Sequence, residues 1–158
     1  MARQLGLEEL EIITPGANIL LIPRVLNMNV MELVTDHWQG TQQQEHTLQN
    51  PSFSDIHTAI KKLDGQRYTI VVLNSKEETQ MVIGGGANGQ YVVYVAHGNE
   101  DFFNLVSSDE ANETISLIVG GQEGNYPSNT LVTVGFALKA ARTFAERGEL
   151  EPSFKWRR

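Results

Sequence analysis

The sequence predicts an α+β domain: an antiparallel β-sheet of about five to seven strands with helices packed on one face. Three observations carry this. Two segments, at 53–63 and 134–147, repeat apolar residues with helical spacing. Between them lie short apolar, β-branched runs separated by turn residues. Those connections are too short for parallel pairing, which needs a crossover of a dozen residues or more, so the strands must be antiparallel and the helices share a face.

The elements follow in order. Leu5, Leu7 and Leu10 fit either a short helix or an extended segment, and Pro15-Gly16 breaks it. Residues 30–38 alternate partly and read as a strand ended by Gly40. Residues 41–48, with three consecutive Gln, read as an edge strand or a loop. Ser52 is the N-cap of a helix, with Asp55 completing a capping box, and Ile56, Ala59, Ile60 and Leu63 form its apolar stripe. Gly65 is expected as its C′ residue. Residues 68–73 are continuously apolar and predict a central strand buried on both faces. Strands at 79–83 and 90–96 flank a glycine-rich loop in which Asn88-Gly89 signals a type I′ turn. Further strands fall at 102–106 and 114–119, the second broken by Gly120-Gly121 and Gly124. Thr133 is the N-cap of the last helix, with Ala137, Ala140, Ala141 and Phe144 on its inner stripe and Gly148 at its end. Trp156 in the tail is expected to dock on the body.

At 158 residues the chain is expected to be one domain, 1–158, able to bury a core of its own. The chain has no Cys, which excludes disulfides, thiolate metal sites and a cysteine nucleophile. Twelve Lys and Arg against nineteen Asp and Glu give a net charge of -7, which disfavours bare nucleic acid and anionic membranes as partners. Residues 1–10 hold one Arg and no apolar core of a signal peptide, so a cytoplasmic protein is expected.

No constellation reads as catalytic. Gly84, Gly86 and Gly89 satisfy the spacing of a dinucleotide-binding loop, but a strand follows where that site needs a helix N-terminus. His37, His46, His57 and His97 share no metal-ligand spacing. His97 near Glu100 is the one place where general-base or ligand chemistry is conceivable, with Tyr91 in a common pocket; this gives the rival reading, a small ligand-binding domain or enzyme. No cofactor and no metal are expected.

The charge distribution is the informative feature. Residues 77–138 contain eight acids and no Lys or Arg. Glu100, Asp101, Asp109, Glu110 and Glu113 lie in this stretch together with Phe102, Phe103 and Tyr126. Aromatics among carboxylates suit a protein–protein surface: apolar anchors, with charge outside for steering. These eight residues are the expected partner-binding set, with homodimerisation as a further possibility.

An ordered series of motifs goes further. Ile60-Lys61-Lys62-Leu63 ends a helix. Met81-Val82-Ile83-Gly84-Gly85-Gly86 feeds Tyr91-Val92-Val93-Tyr94, and Leu117-Ile118-Val119-Gly120-Gly121-Gln122 leads to Tyr126-Pro127. A helix from Ala137 through Phe144 to Leu150 precedes Trp156. This series resembles the Imm1 family of bacterial immunity proteins, over about 54–156, and makes 51–158 an Imm1-like core with 1–50 as an N-terminal extension. Arg157 follows the final Trp here, where Glu is common in such proteins. The resemblance implies a non-enzyme that binds and neutralises a cognate toxin domain of a polymorphic toxin system, one acting on nucleic acid such as a deaminase. It also implies structural roles for Gly85, Gly86, Gly120, Gly121, Phe144 and Trp156.

Overall fold

The computed structural model describes residues 28–158 together with the backbone of two short strands, β1 (Leu10–Ile12) and β2 (Leu21–Pro23), paired as an antiparallel hairpin. The expectations for Leu5, Leu7 and Pro15-Gly16 lie outside the described residues. Then come β3 (Val30–Gln39), β4 (Gln42–Gln49), α1 (Phe53–Lys62), β5 (Ile70–Ser75), β6 (Thr79–Gly85), β7 (Tyr91–His97), β8 (Asp101–Val106), β9 (Thr114–Val119), β10 (Gln122–Pro127), α2 (Val134–Arg147) and β11 (Lys155–Arg157). Seven strands form one antiparallel sheet in the order β11-β8-β7-β6-β5-β3-β4, and β9 and β10 pair separately. The fold is α+β, as expected. No helix among the described residues is long and apolar enough to cross a membrane.

The period-2 alternation of the strands divides the sheet into two unlike faces. Leu33, Val71, Leu73, Met81, Ile83, Val93 and Val95 turn to one side, where they meet Ile56 and Ile60 of α1 and Ala137, Ala140, Ala141 and Phe144 of α2. The stripe of three alanines lets α2 approach closely, and Phe144 fills the space beside it. Helix α1 has the capping box its sequence calls for: the Ser52 hydroxyl accepts from the Asp55 N–H, and the Asp55 carboxylate accepts from the Ser52 N–H.

Local expectations and structure part at three places. Gly65 does not close α1. The helix ends at Lys62 with Leu63 as an extended cap, and the Asp64 carboxylate then turns the chain by accepting from the N–H groups of Gln66, Arg67 and Tyr68. The apolar run at 68–73 is buried fully on one face only: Val71 and Leu73 lie under the helices, while Ile70 and Val72 are half-buried on the other side. Gly120-Gly121 is a turn rather than a break. Both residues have positive φ, 63° and 78°, and they reverse the chain into β10, which the polar sequence of 122–127 does not announce.

The tail docks as expected. β11 pairs with β8, and the Trp156 indole N–H donates to the Glu151 carbonyl at 3.0 Å. Glu151 is buried and its carboxylate accepts from Ser153 N–H and Oγ and from Thr143 Oγ1. The Ser153 and Thr143 hydroxyls are the main cause of its pKa being held down to about 2.

Candidate interaction surface

The second face of the sheet carries two rows of side chains, given by the strand register. One row runs Glu32, Asn74, Gln80, Ala96, Phe102; the next runs Val34, Val72, Val82, Tyr94, Asn104. The β9–β10 hairpin covers the part beyond these rows. Leu117 packs with Val92 and Leu131, and Val119 lies where a side chain on Gly84 would have to go. Among the described residues no helix covers the rest.

A buried carboxylate fixes the hairpin there. Asp36 is 1% exposed. It accepts from the Trp38 indole N–H at 2.7 Å, from the Thr69 N–H at 2.7 Å, from the Ile70 N–H at 3.1 Å and from the Thr69 hydroxyl. The Thr69 hydroxyl oxygen in turn accepts from the Gly121 N–H at the hairpin turn, 2.9 Å away. A buried charge is tolerable only when hydrogen bonds replace its water, and here the bonds also tie three chain segments together. Local sequence gives little sign of this site, because apart from Trp38 its donors come from Thr69 and Ile70, more than thirty positions away.

The uncovered rows hold a polar ladder and an aromatic cluster. Gln49 and Asn74 both donate to Glu32, and Gln80 donates to Asn74. Beside the ladder, the Tyr94 and Phe102 rings lie 6.2 Å apart, and Phe102 is 44% exposed. Burial, and then the neighbouring Tyr126, push the Tyr94 phenol above its ordinary pKa; burial does the same for Tyr126. Tyr94 and Phe102 form an aromatic pair on this face, and Tyr126 packs beside the neighbouring cluster of Val92, Leu117 and Leu131.

The other expected partner-binding residues are spread out. Phe103 points to the opposite face, where its ring meets His97 edge-on at 5.6 Å and the Arg158 guanidinium at 5.8 Å. Glu100 and Asp101 lie at one end of β8, and Asp109, Glu110 and Glu113 follow its other end, roughly 17 Å away by strand rise. The two groups do not converge. β11 also brings cations that the sequence places far away: Lys155 and Arg157 pair with Asp109, and Arg158 pairs with Asp101. The hydrogen bond from Lys155 holds the Asp109 carboxyl below its usual pKa.

The pocket of the rival reading is not assembled. Tyr91 lies at one end of β7 among the core residues and His97 at the other end. The His97 ring is engaged with Thr79 Oγ1 at 3.2 Å. A cavity of about 380 Å³ beside Thr79 is lined by neither His97 nor Glu100. Among the described residues no three His, Asp or Glu side chains gather as metal ligands. The glycine loop is a hairpin turn, with Asn88 and Gly89 both at positive φ and Gln90 N–H donating to the Ala87 carbonyl.

Another cleft lies between α1 and the β3–β4 hairpin. It holds about 390 Å³, with Leu33, Ala59 and Leu63 among its apolar residues. At its rim His37 stacks on Tyr68 at 4.9 Å, and the Lys62 ammonium sits 5.0 Å from the Tyr68 ring centre.

The sequence model of the family described as "Immunity protein Imm1" matches residues 44–158, most of the chain. The chain belongs to the Imm1 family. Among curated proteins none matches it. Membership makes this Imm1 protein an immunity protein, a class whose work is to bind a cognate toxin. The match begins within β4, so β3 and the first turn of the sheet edge precede it. Of the residues that carried the resemblance, Gly86, Gly120 and Gly121 lie at positive φ in turns, Gly85 at positive φ ends β6, Phe144 is buried in the helix core and Trp156 bonds to the Glu151 carbonyl.

Proposed function

We propose that this Imm1 protein is a cytoplasmic bacterial immunity protein without enzymatic activity. It neutralises a cognate toxin domain of a polymorphic toxin system, one that acts on nucleic acid, such as a deaminase. The aromatic pair Tyr94 and Phe102, with Tyr126 on the neighbouring β10, on the face opposite α1 and α2, carries this reading. Phe102 is its exposed apolar anchor, within a 62-residue stretch that holds eight acids and no Lys or Arg. Enzymes that act on nucleic acid present basic grooves, and an acidic face attracts such a groove over long range. Glu100 and Asp101 flank the patch from one end of β8. Glu110 and Glu113 carry further negative charge past the other end, beside Asp109, which Lys155 and Arg157 pair. Phe103 supports Arg158 behind the strand.

Affinity capture of the tagged protein from its source cells, with mass spectrometry of the captured material, tests the reading. Stoichiometric recovery of a large secreted multidomain protein through its C-terminal domain is the expected result. Phe102→Ala should then weaken that complex tenfold or more without lowering the melting temperature. Recovery of nothing from cells that express a candidate toxin removes the proposal.

A further inference from the structure

The two edges of the seven-stranded sheet are unlike. β11 is three residues long and presents Lys155 and Arg157. Short length and cationic side chains are the usual protections of a free edge. β4 is eight residues long, pairs with β3 without a bulge from Gln42 to Gln49, and is exposed at every position. It contains no Lys, Arg or Pro. Among the described residues nothing pairs with its outer side. An edge this long and unprotected is a template for another strand.

The register of β4 fixes which groups it offers. Gly40, with φ 63°, and Thr41 form the two-residue turn that closes β3 onto β4, so Gln39 and Gln42 are a hydrogen-bonded pair. Hydrogen-bonded and non-bonded pairs alternate along the ladder. Gln42, Gln44, His46 and Leu48 therefore bond inward to β3, and Gln43, Glu45, Thr47 and Gln49 turn their N–H and C=O groups outward.

We propose that β4 pairs antiparallel with β4 of a second copy of this chain, about a two-fold axis through His46. An axis normal to the sheet keeps like faces together, so only registers joining residues of the same parity are allowed. A register centred on Glu45 sets two carboxylates directly opposite each other. One centred on Thr47 places Pro51, which has no N–H, in the ladder opposite Gln43. The register centred on His46 avoids both. It pairs Glu45 with Thr47 and Gln43 with Gln49, uses all four outward residues of each copy, and lays Leu48, 44% exposed, against Gln44. The two sheets become one continuous sheet of fourteen strands. The toxin-facing patch on β7 and β8 stays free in both copies, so the inference stands apart from the proposed function and needs no toxin for its test.

The experiment is sedimentation equilibrium of the full chain over a concentration series, at low and at high salt. A monomer–dimer equilibrium is expected. It should tighten with salt, because two chains of net charge -7 repel each other. Thr47→Lys places a cation opposite Glu45 of the second copy and should tighten the dimer several-fold; Thr47→Glu places like charges there and should weaken it several-fold. Thr47→Pro removes an outward N–H without touching the β3 ladder and should abolish it. Thr114→Lys, with the same charge change on the distant β9, is the control and should leave the dimer nearly unchanged. A chain that stays monomeric throughout overturns the proposal. So does a dimer indifferent to the Thr47 variants.

Discussion

At the scale of single residues, two buried carboxylates hold distant parts of the chain. Asp36→Ala leaves the buried Thr69 N–H and the half-buried Ile70 N–H and Trp38 indole without their acceptor. Each orphaned donor costs about 1–3 kcal/mol, so the variant should lose about 3 kcal/mol or more in urea unfolding. The Gly121 amide should also exchange its hydrogen faster, since Thr69 loses its orientation. Glu151 adds a pH dependence. Its carboxyl titrates near 2 in the folded chain, below the ordinary 4.5. A depressed folded pKa contributes stability above the unfolded value, and that stability disappears as pH falls from about 4.5 toward 2. The melting temperature of the wild type should therefore exceed that of Glu151→Gln at neutral pH, and the gap should narrow across this acid range.

Individual elements were legible where their signals are local. The capping box of α1 and the α2 span from Thr133 to Gly148 rest on residues within a few positions of each other, and both are present. The Asn88-Gly89 turn is there for the same reason. β10 was not legible, because 122–127 is polar and becomes a strand only by pairing with β9. The candidate surface was half legible. Phe102 and Tyr126 were recognisable as aromatics in an acidic stretch, whereas Tyr94 reads as part of an ordinary apolar strand. The cations of β11 beside Asp101 and Asp109 depend on pairing across about fifty residues. The two glycine turns give a contrast that tests the packing. A side chain at Gly89 meets open space, and Gly89→Ala should cost only about 1–2 kcal/mol for its left-handed backbone. At Gly121 the added carbon falls on the Trp38 ring. Gly121→Ala should cost at least about 2 kcal/mol more than Gly89→Ala, read from urea midpoints.

For the whole molecule, net charge bears on the kinetics of encounter with the proposed toxin. The stretch 77–138 carries -8 and the remainder +1, which together give the net -7. Association with a basic toxin domain should slow as salt rises, while dissociation changes little. The pair Glu100→Lys and Asp101→Lys should flatten that dependence in stopped-flow measurements. An unchanged on-rate would place the interface away from that end of β8. The sheet itself has a further consequence. Because successive residues of β7 face opposite ways, Val93 and Val95 belong to the core that folds the chain, and Tyr94 between them belongs to the proposed recognition face. Stability and recognition are written on the same strand in alternate letters. Substitution can therefore rewrite the second text without smudging the first, whereas the deletion of one residue in β7 would exchange the two and lose both.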